Sequence, residues 1–429
     1  MKRIALLSPL KHRPYQLLFA GQVISNLGDW LDYLAIIVII VYQWHLGAPA
    51  LAAFTTVTFL PLIVIAPFAG VWVDRWSSHR SMMIICDLIR AVLVLGLLWA
   101  PNIYIVLLIV AVKITASTFF NPAQQAVIRS TVPEDELLSA NALSQLSLQA
   151  TKILGPALGG LIVLIGGSHA AFVGDALSFL ASAIILSRLP ALFAAISTTQ
   201  EQEKQHFWQE FRAGLSYILG QRLLVVSISS VAAALFIVFT FDSLGPLAIQ
   251  ALGLNSSVLG LAIGSVGLGT AIGAIVIGEG GQNISPLKVM ATGNIVAGVM
   301  VALVGSAALI HLRPAGAIEI VVAVIIWFVM GVAAAAMVVP YEFILQKETP
   351  PDFMGRVVAT ASGFQTAVQF LAPLIGAVIA VTFGVGVVFA IAGVVLALLG
   401  TFLLFIRIKT QVPSSDVSVS PAEVEAKVS

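Results

Sequence analysis

The chain is poor in charge and almost devoid of cysteine, and both shortages are informative. Asp, Glu, Lys and Arg together make up 10% of its 429 residues, against about 25% in an ordinary water-soluble domain. With 59% hydrophobic residues and a mean hydropathy of +1.04, its apolar surface cannot be hidden in a water-facing core, so a bilayer must be its solvent. Cys86 is the only cysteine, which excludes an internal disulfide and a thiolate metal cluster. It lies in an apolar run and reads as packing. The net charge of +1 and the lack of a basic tract exclude a nucleic-acid partner. Catalytic signatures are missing too: there is no His-Glu-x-x-His and no Gly-x-Ser-x-Gly. No phosphate-binding loop precedes a lysine and a hydroxyl residue, so ATP is not the direct energy source. The six histidines are scattered. The chain is therefore read as no enzyme, with no cofactor and no bound metal. Residues Met1–Pro14 are short and basic, and the run after them is too long and too polar in its middle for a cleavable signal.

What is present is apolar runs of membrane-spanning length. Twelve are expected, at about 16–42, 51–73, 82–100, 103–121, 140–166, 169–188, 223–250, 256–278, 286–310, 316–340, 355–382 and 384–406. A polar stretch divides them into six and six, giving a bundle over 1–188, a linker over 189–221, a second bundle over 222–410 and a disordered tail over 411–429. The halves repeat. Pro122, Pro133 and Pro156 recur as Pro340, Pro351 and Pro373, and Gly159 and Gly376 each follow the last proline by three residues. A membrane chain that repeats at half its length predicts an all-α protein of two pseudo-symmetric six-helix bundles with a substrate site between them. Seventeen Lys and Arg fall on the side of the termini, Arg313 alone falls on the other, and Arg90, Lys113 and Lys152 lie within spans. That bias predicts cytoplasmic termini. In the linker, Phe207, Trp208, Phe211, Leu215, Ile218 and Leu219 interleave with Glu210 and Arg212. The pattern fits a short helix on the inner membrane surface, or a plain tether.

Between spans two and three the chain reads Gly70-Val-Trp-Val-Asp74-Arg75-Trp-Ser-Ser-His79-Arg80. Asp74 ends a helix, where a carboxylate opposes the helix dipole at about 0.3–1 kcal/mol and calls for a partner. Arg75, Arg80 and the start of span eleven near Met354–Arg356 are the candidates. Further on come Asn121-Pro-Ala-Gln-Gln-Ala-Val, Val132-Pro-Glu-Asp-Glu-Leu-Leu-Ser-Ala-Asn-Ala142, Gly155-Pro-Ala-Leu-Gly-Gly160 and Ala171-Phe-Val-Gly-Asp175-Ala-Leu-Ser-Phe179, after Asn26-Leu-Gly-Asp29 in span one. In this order they resemble the major facilitator superfamily, in the branch of bacterial enterobactin and macrolide exporters. The resemblance implies a gate at Gly70, Asp74, Arg75 and Arg80 that holds the halves together on the cytoplasmic side. It also implies an antiporter-like motif at Gly155, Pro156, Gly159 and Gly160, a kinked and closely packed helix about which the halves rock. The family's further glycine is absent, with Thr151 in its place. In the second half Gly278-Glu279-Gly-Gly281 stands without the arginines.

Ionisable residues inside a bilayer are costly and face a cavity or a partner. Asp29 and Asp32 share one face of span one. Two carboxylates this close do not both ionise easily in a medium of low dielectric, so one could bind and release a proton. Asp242 in span seven sits at a height corresponding to Asp29. Lys113 or Lys152 is the expected partner of Asp29 or Asp32 across the first bundle. Asp87 and Arg90 read as a helix-face ion pair, and Asp175, in a peripheral span, as a helix-packing or hydrogen-bonding residue. Glu319 and Glu342 lie near the edges of span ten. Gln22, Asn26, Gln365 and Gln369 are candidates for substrate or helix–helix hydrogen bonds. Phe119, Phe120, Phe236, Phe239, Phe241, Trp327, Phe328, Met330 and Met337 could line a greasy pocket, or face lipid.

These observations point to a monomeric, proton-coupled exporter of small amphiphilic compounds such as drugs or siderophores, surrounded by lipid in a bacterial plasma membrane. Asp29, Asp32, Lys113, Lys152 and Asp242 are its candidate coupling or substrate residues. The alternatives are a lipid or lysolipid flippase, a divalent-metal exporter using Asp29, Asn26 and Ser25, or a receptor on a transporter scaffold.

Overall fold

The structure is a computed structural model that describes residues 5–76, 78–190, 207–254, 256–280, 284–310 and 317–406. Most of the 189–221 linker before Phe207 and the expected tail at 411–429 therefore lie outside the described residues. Everything long in it is helix. The first half consists of α1 (Arg13–Val38), α2 (Ala48–Val64), α3 (Ala66–Asp74), α4 (His79–Gly96), α5 (Ile103–Thr131) and α6 (Leu137–Leu186). The second half follows α7 (Phe207–Gly220) with α8 (Arg222–Asp242), α9 (Gly245–Ala251), α10 (Ser256–Gly280), α11 (Pro286–Leu309), α12 (Ala317–Glu348), α13 (Pro351–Phe383) and α14 (Val385–Phe405).

Twelve crossings emerge once two local events are recognised. Span two is split into α2 and α3 at Ile65, two residues before Pro67, which cannot donate to the preceding turn. The fifth and sixth spans are the two arms of α6, 137–166 and 168–186, divided at Gly167 where φ is 70° and ψ −176°. An even number of crossings among the described residues places the start of α1 and the end of α14 on one face, called here the terminal face. Side chains such as Phe68, Trp99, Tyr104, Ile165 and Phe405 stand out from the bundle, which only a hydrocarbon surround tolerates in such number.

The proline repeat has a structural counterpart. Pro122 and Pro340 lie inside α5 and α12, Pro156 and Pro373 inside α6 and α13, and Pro351 opens α13. Gly159 packs against the backbone carbonyl of Trp30 on α1, and Gly376 against that of Thr240 on α8. The same glycine therefore serves the same helix contact in each half, and a side chain at either would push the pair apart.

The halves meet on the face away from the termini. There one continuous core joins Ile36, Ile40 and Phe54 of the first half to Ile249, Val258 and Leu259 of the second. Gln250 Nε2 donates to the carbonyl of Val41 at 3.2 Å across the seam, and Gly160 faces Gly260 with only backbone between α6 and α10. Towards the terminal face the cores separate. Tyr15, Met83, Phe120 and Val127 belong to a cluster drawn wholly from the first half, and Leu224, Met290, Tyr341 and Val357 to one drawn wholly from the second. Among the described residues the molecule is closed on the far face and parted on the terminal face.

Helix α7 docks on the second bundle and does not simply float as a tether. Tyr217 donates to the carbonyl of Glu348 at 3.0 Å and stacks on Phe353 at 4.9 Å, while Gly214 lies against Arg356 and Thr360.

Candidate functional site

The intramembrane charges of the first half converge. Lys113, in the middle of α5, has its Nζ 2.6 Å from Asp32, 2.8 Å from Asp29 and 3.6 Å from Asp175. Of the two lysines expected to pair with Asp29 or Asp32, Lys113 does so, and with both acids. Lys152 makes no ion pair among the described residues. Asp175 accepts a hydrogen bond from Ser178 Oγ at 3.2 Å, as a hydrogen-bonding residue would, but it is not peripheral: the second arm of α6 turns it inwards onto the same lysine. Gly28 permits this, because a Cβ there would overlap Ser178 and Asp175. The ring of Phe179 lies 5.4 Å from the same ammonium and closes the site from that side.

The three acids are not equivalent. Asp32 and Asp175 are 3% and 0% exposed, whereas Asp29 is 37% exposed, so Asp29 is the most open of the three to the space in the protein's centre. Their oxygens lie within 4.8 Å of one another, a spacing that would suit a divalent ion. The lysine ammonium already sits among them, and a second positive charge would be repelled. Next to this cluster, Arg90 pairs with Asp87, which also accepts from Ser182 Oγ at 2.7 Å. The guanidinium is held between the rings of Phe120 and Phe179 at 4.6 and 4.4 Å. The helix-face pair expected there is present, but it is buried, and Arg90 reaches the wall of the central cavity.

Two cavities adjoin at Asp29. One, of about 370 Å³, lies inside the first bundle and is lined by Gln22, Ser25, Asn26, Asp32, Lys113 and Gln124 among others. The other, of about 350 Å³, lies between the halves, walled by Trp30, Tyr33, Phe59 and Lys152 from the first and by Phe239, Asp242 and Ser243 from the second. Asn26, Asp29, Tyr33, Phe54, Thr58 and Leu148 border both. The two acids expected at corresponding heights, Asp29 and Asp242, therefore face one space.

Among the other sequence-derived candidates, Gly155 and Gly159 seat Trp30 and Leu34 of α1, and Gly160 makes the approach to α10, so the Gly155, Pro156, Gly159, Gly160 stretch touches both halves. At the terminal face, Asp74 is the last residue of α3 but its side chain lies outside those described. Arg75 follows it, exposed. Arg80 donates to the carbonyl of Ser187 at the end of α6, a cation at a helix C-terminus. Gly70 has no atom within 4 Å of where a Cβ would stand. Gln365 donates to Tyr341 Oη at 3.1 Å, a helix–helix bond. Of the aromatic and methionine candidates, Phe120 and Phe239 line cavities, whereas Phe241 and Met337 are buried in packing. Glu342 is exposed, and the side chain of Glu319 is outside the described residues.

Comparison with known proteins agrees with this architecture. The profile of the Major Facilitator Superfamily matches residues 18–248 and 230–427. The chain is 27% identical over 388 residues to the MFS-type transporter YfiS of Bacillus subtilis (strain 168), covering 90% of this chain and 91% of that protein. It is 24% identical over 237 residues to macrolide efflux protein A of Streptococcus pyogenes, covering 54% of this chain and 57% of that one. Its structure superposes on the nucleoside transporter NupG with a TM-score of 0.70 at 13% identity, covering 91% and 99% of the two chains. The chain belongs to the Major Facilitator Superfamily, as a multi-pass membrane transporter of an efflux-like branch.

Proposed function

We propose that this transporter exports small amphiphilic molecules in exchange for protons by alternating access. One observation carries the coupling: Asp29 is the single member of the lysine-centred acid cluster that opens onto both cavities. With all groups ionised, Asp29, Asp32 and Asp175 around Lys113 would carry a net charge of minus two in a low-dielectric interior. A proton on Asp29 relieves that excess and releases the lysine to the remaining acids. Substrate entering the space between the halves then competes with the protonated arrangement, and each ligand biases the orientations by its differential affinity.

The parted terminal face, taken with the Lys and Arg bias, corresponds to an inward-open loading state in a plasma membrane with cytoplasmic termini. Gly70, Asp74, Arg75 and Arg80 would secure that face when it closes. The metal-export alternative is disfavoured by Lys113, whose charge occupies the oxygens a cation would need. We take the working unit to be one chain, since both cavities are complete within it.

The test is dye export in inverted vesicles under an imposed pH gradient. Asp29→Asn should abolish proton-driven accumulation while the protein still inserts and binds dye. Undiminished proton-driven transport by the variant would remove Asp29 from the coupling mechanism.

A further inference from the structure

We propose that the cavity between the halves is built for zwitterionic solutes, with Asp242 receiving the cationic end and Lys152 the anionic end. This rests on the transporter reading above and names its substrate class.

Most charges near the cavity are already paired. Asp29 borders the cavity but is engaged by Lys113 at 2.8 Å. Arg90 is engaged by Asp87. Lys152 on α6 and Asp242 on α8 line the cavity, are exposed to it, and make no ion pair among the described residues. Unpaired charges at membrane depth are costly and mark a ligand or ion path. Here one is positive, one is negative, and they stand on opposite halves. A purely cationic or anionic solute would satisfy one and leave the other bare, whereas a solute of zero net charge with separated ends satisfies both.

The walls between them suit an apolar body. Trp30 and Tyr33 meet edge to face at 5.5 Å, and Phe59 meets Phe239 in the same way at 6.3 Å, across the seam between α2 and α8. Gly155 seats the Trp30 side chain. A volume of about 350 Å³ lies at the small end of ligand pockets, the scale of a short peptide or an amino-acid conjugate. Because its two anchors belong to different halves, such a solute would also link them during the rocking step.

The experiment is equilibrium calorimetry of the full chain in lipid nanodiscs with four probes: alanyl-phenylalanine, its N-acetyl form, its C-terminal amide and the doubly capped compound. Each lost charge-assisted contact should weaken binding by about tenfold or more. Lys152→Gln should erase the preference for the free carboxylate but keep that for the free amine, and Asp242→Asn should do the reverse. The preference each variant retains shows that its pocket is folded. Equal binding of all four probes, binding of none, or loss of both preferences in both variants would overturn the assignment. If it fails while proton-driven dye export persists, the substrate class is wrong and the transport reading stands. If cap selectivity holds and Asp29→Asn still exports with protons, the coupling reading fails instead.

Discussion

Replacing Lys113 by methionine is the sharpest test of the central cluster. The substitution keeps the volume and the helix propensity of the position but removes the only cation within ion-pairing distance of Asp29, Asp32 and Asp175 among the described residues. Two of those acids are almost wholly buried. Removing one partner of a buried pair costs about 3–5 kcal/mol, because the other charge is left without compensation. Asp29→Asn should behave differently: its side chain is 37% exposed and leaves Lys113 with Asp32, so the stability cost should stay near the surface-pair range of about 0–1 kcal/mol. The assay is unfolding of the two variants and the parent in one detergent, across pH. Lys113→Met should unfold far more readily than Asp29→Asn at pH 8. Its deficit should shrink towards pH 5, since protonation discharges the carboxylates that lost their counter-ion. Lys113→Arg should restore much of the loss. A methionine variant as stable as the parent at pH 8, or one with a deficit independent of pH, would refute the picture of a lysine that holds three acids together.

Glycine positions supply the other expectations. Gly260→Val should force α10 away from α6, because a Cβ there meets the Cα of Gly160 and the carbonyl of Pro156; crosslinking between cysteines placed on the far face should fall, with transport lost. Gly70→Leu should leave the parted state unhindered, since the site is open, but block closure of the terminal face, so accessibility of a terminal-side cysteine should stop responding to substrate. Gly28→Ala should push Ser178 and Asp175 off α1 and lower thermal stability by about 1–3 kcal/mol, the usual cost of overpacking; unchanged melting would mean that the second arm of α6 tolerates a shift.

The architecture was legible because it rests on features written along one dimension. Run length gave the spans, and the proline repeat gave the two halves. Gly167, at φ 70°, falls where the break between the spans expected at 140–166 and 169–188 was placed, whereas the split at Ile65, two residues before Pro67, was less visible because it lies inside a single apolar run. The site divided the same way. Asp29 and Asp32, one turn apart, declared their shared face and their need for a cation, Lys113 or Lys152. Asp175 did not, because a single acid in an apolar span carries no periodicity to say which way it points. The missing signal was an account of charge. The first-half spans hold four acids, Asp29, Asp32, Asp87 and Asp175, against three bases, Arg90, Lys113 and Lys152. If Arg90 satisfies Asp87, the two lysines are left with three acids, and Asp175 cannot be treated as a bystander. Lys152 is the lysine of the two left over. Lys113 takes the acids of its own bundle, whereas Asp242, with no cation within ion-pairing distance among the described residues, faces Lys152 from the other half. Pairing inside a bundle therefore builds the N-terminal cluster, and the charges left over from that pairing fall at the seam between the halves, where a solute that must be passed from one side to the other has to be held.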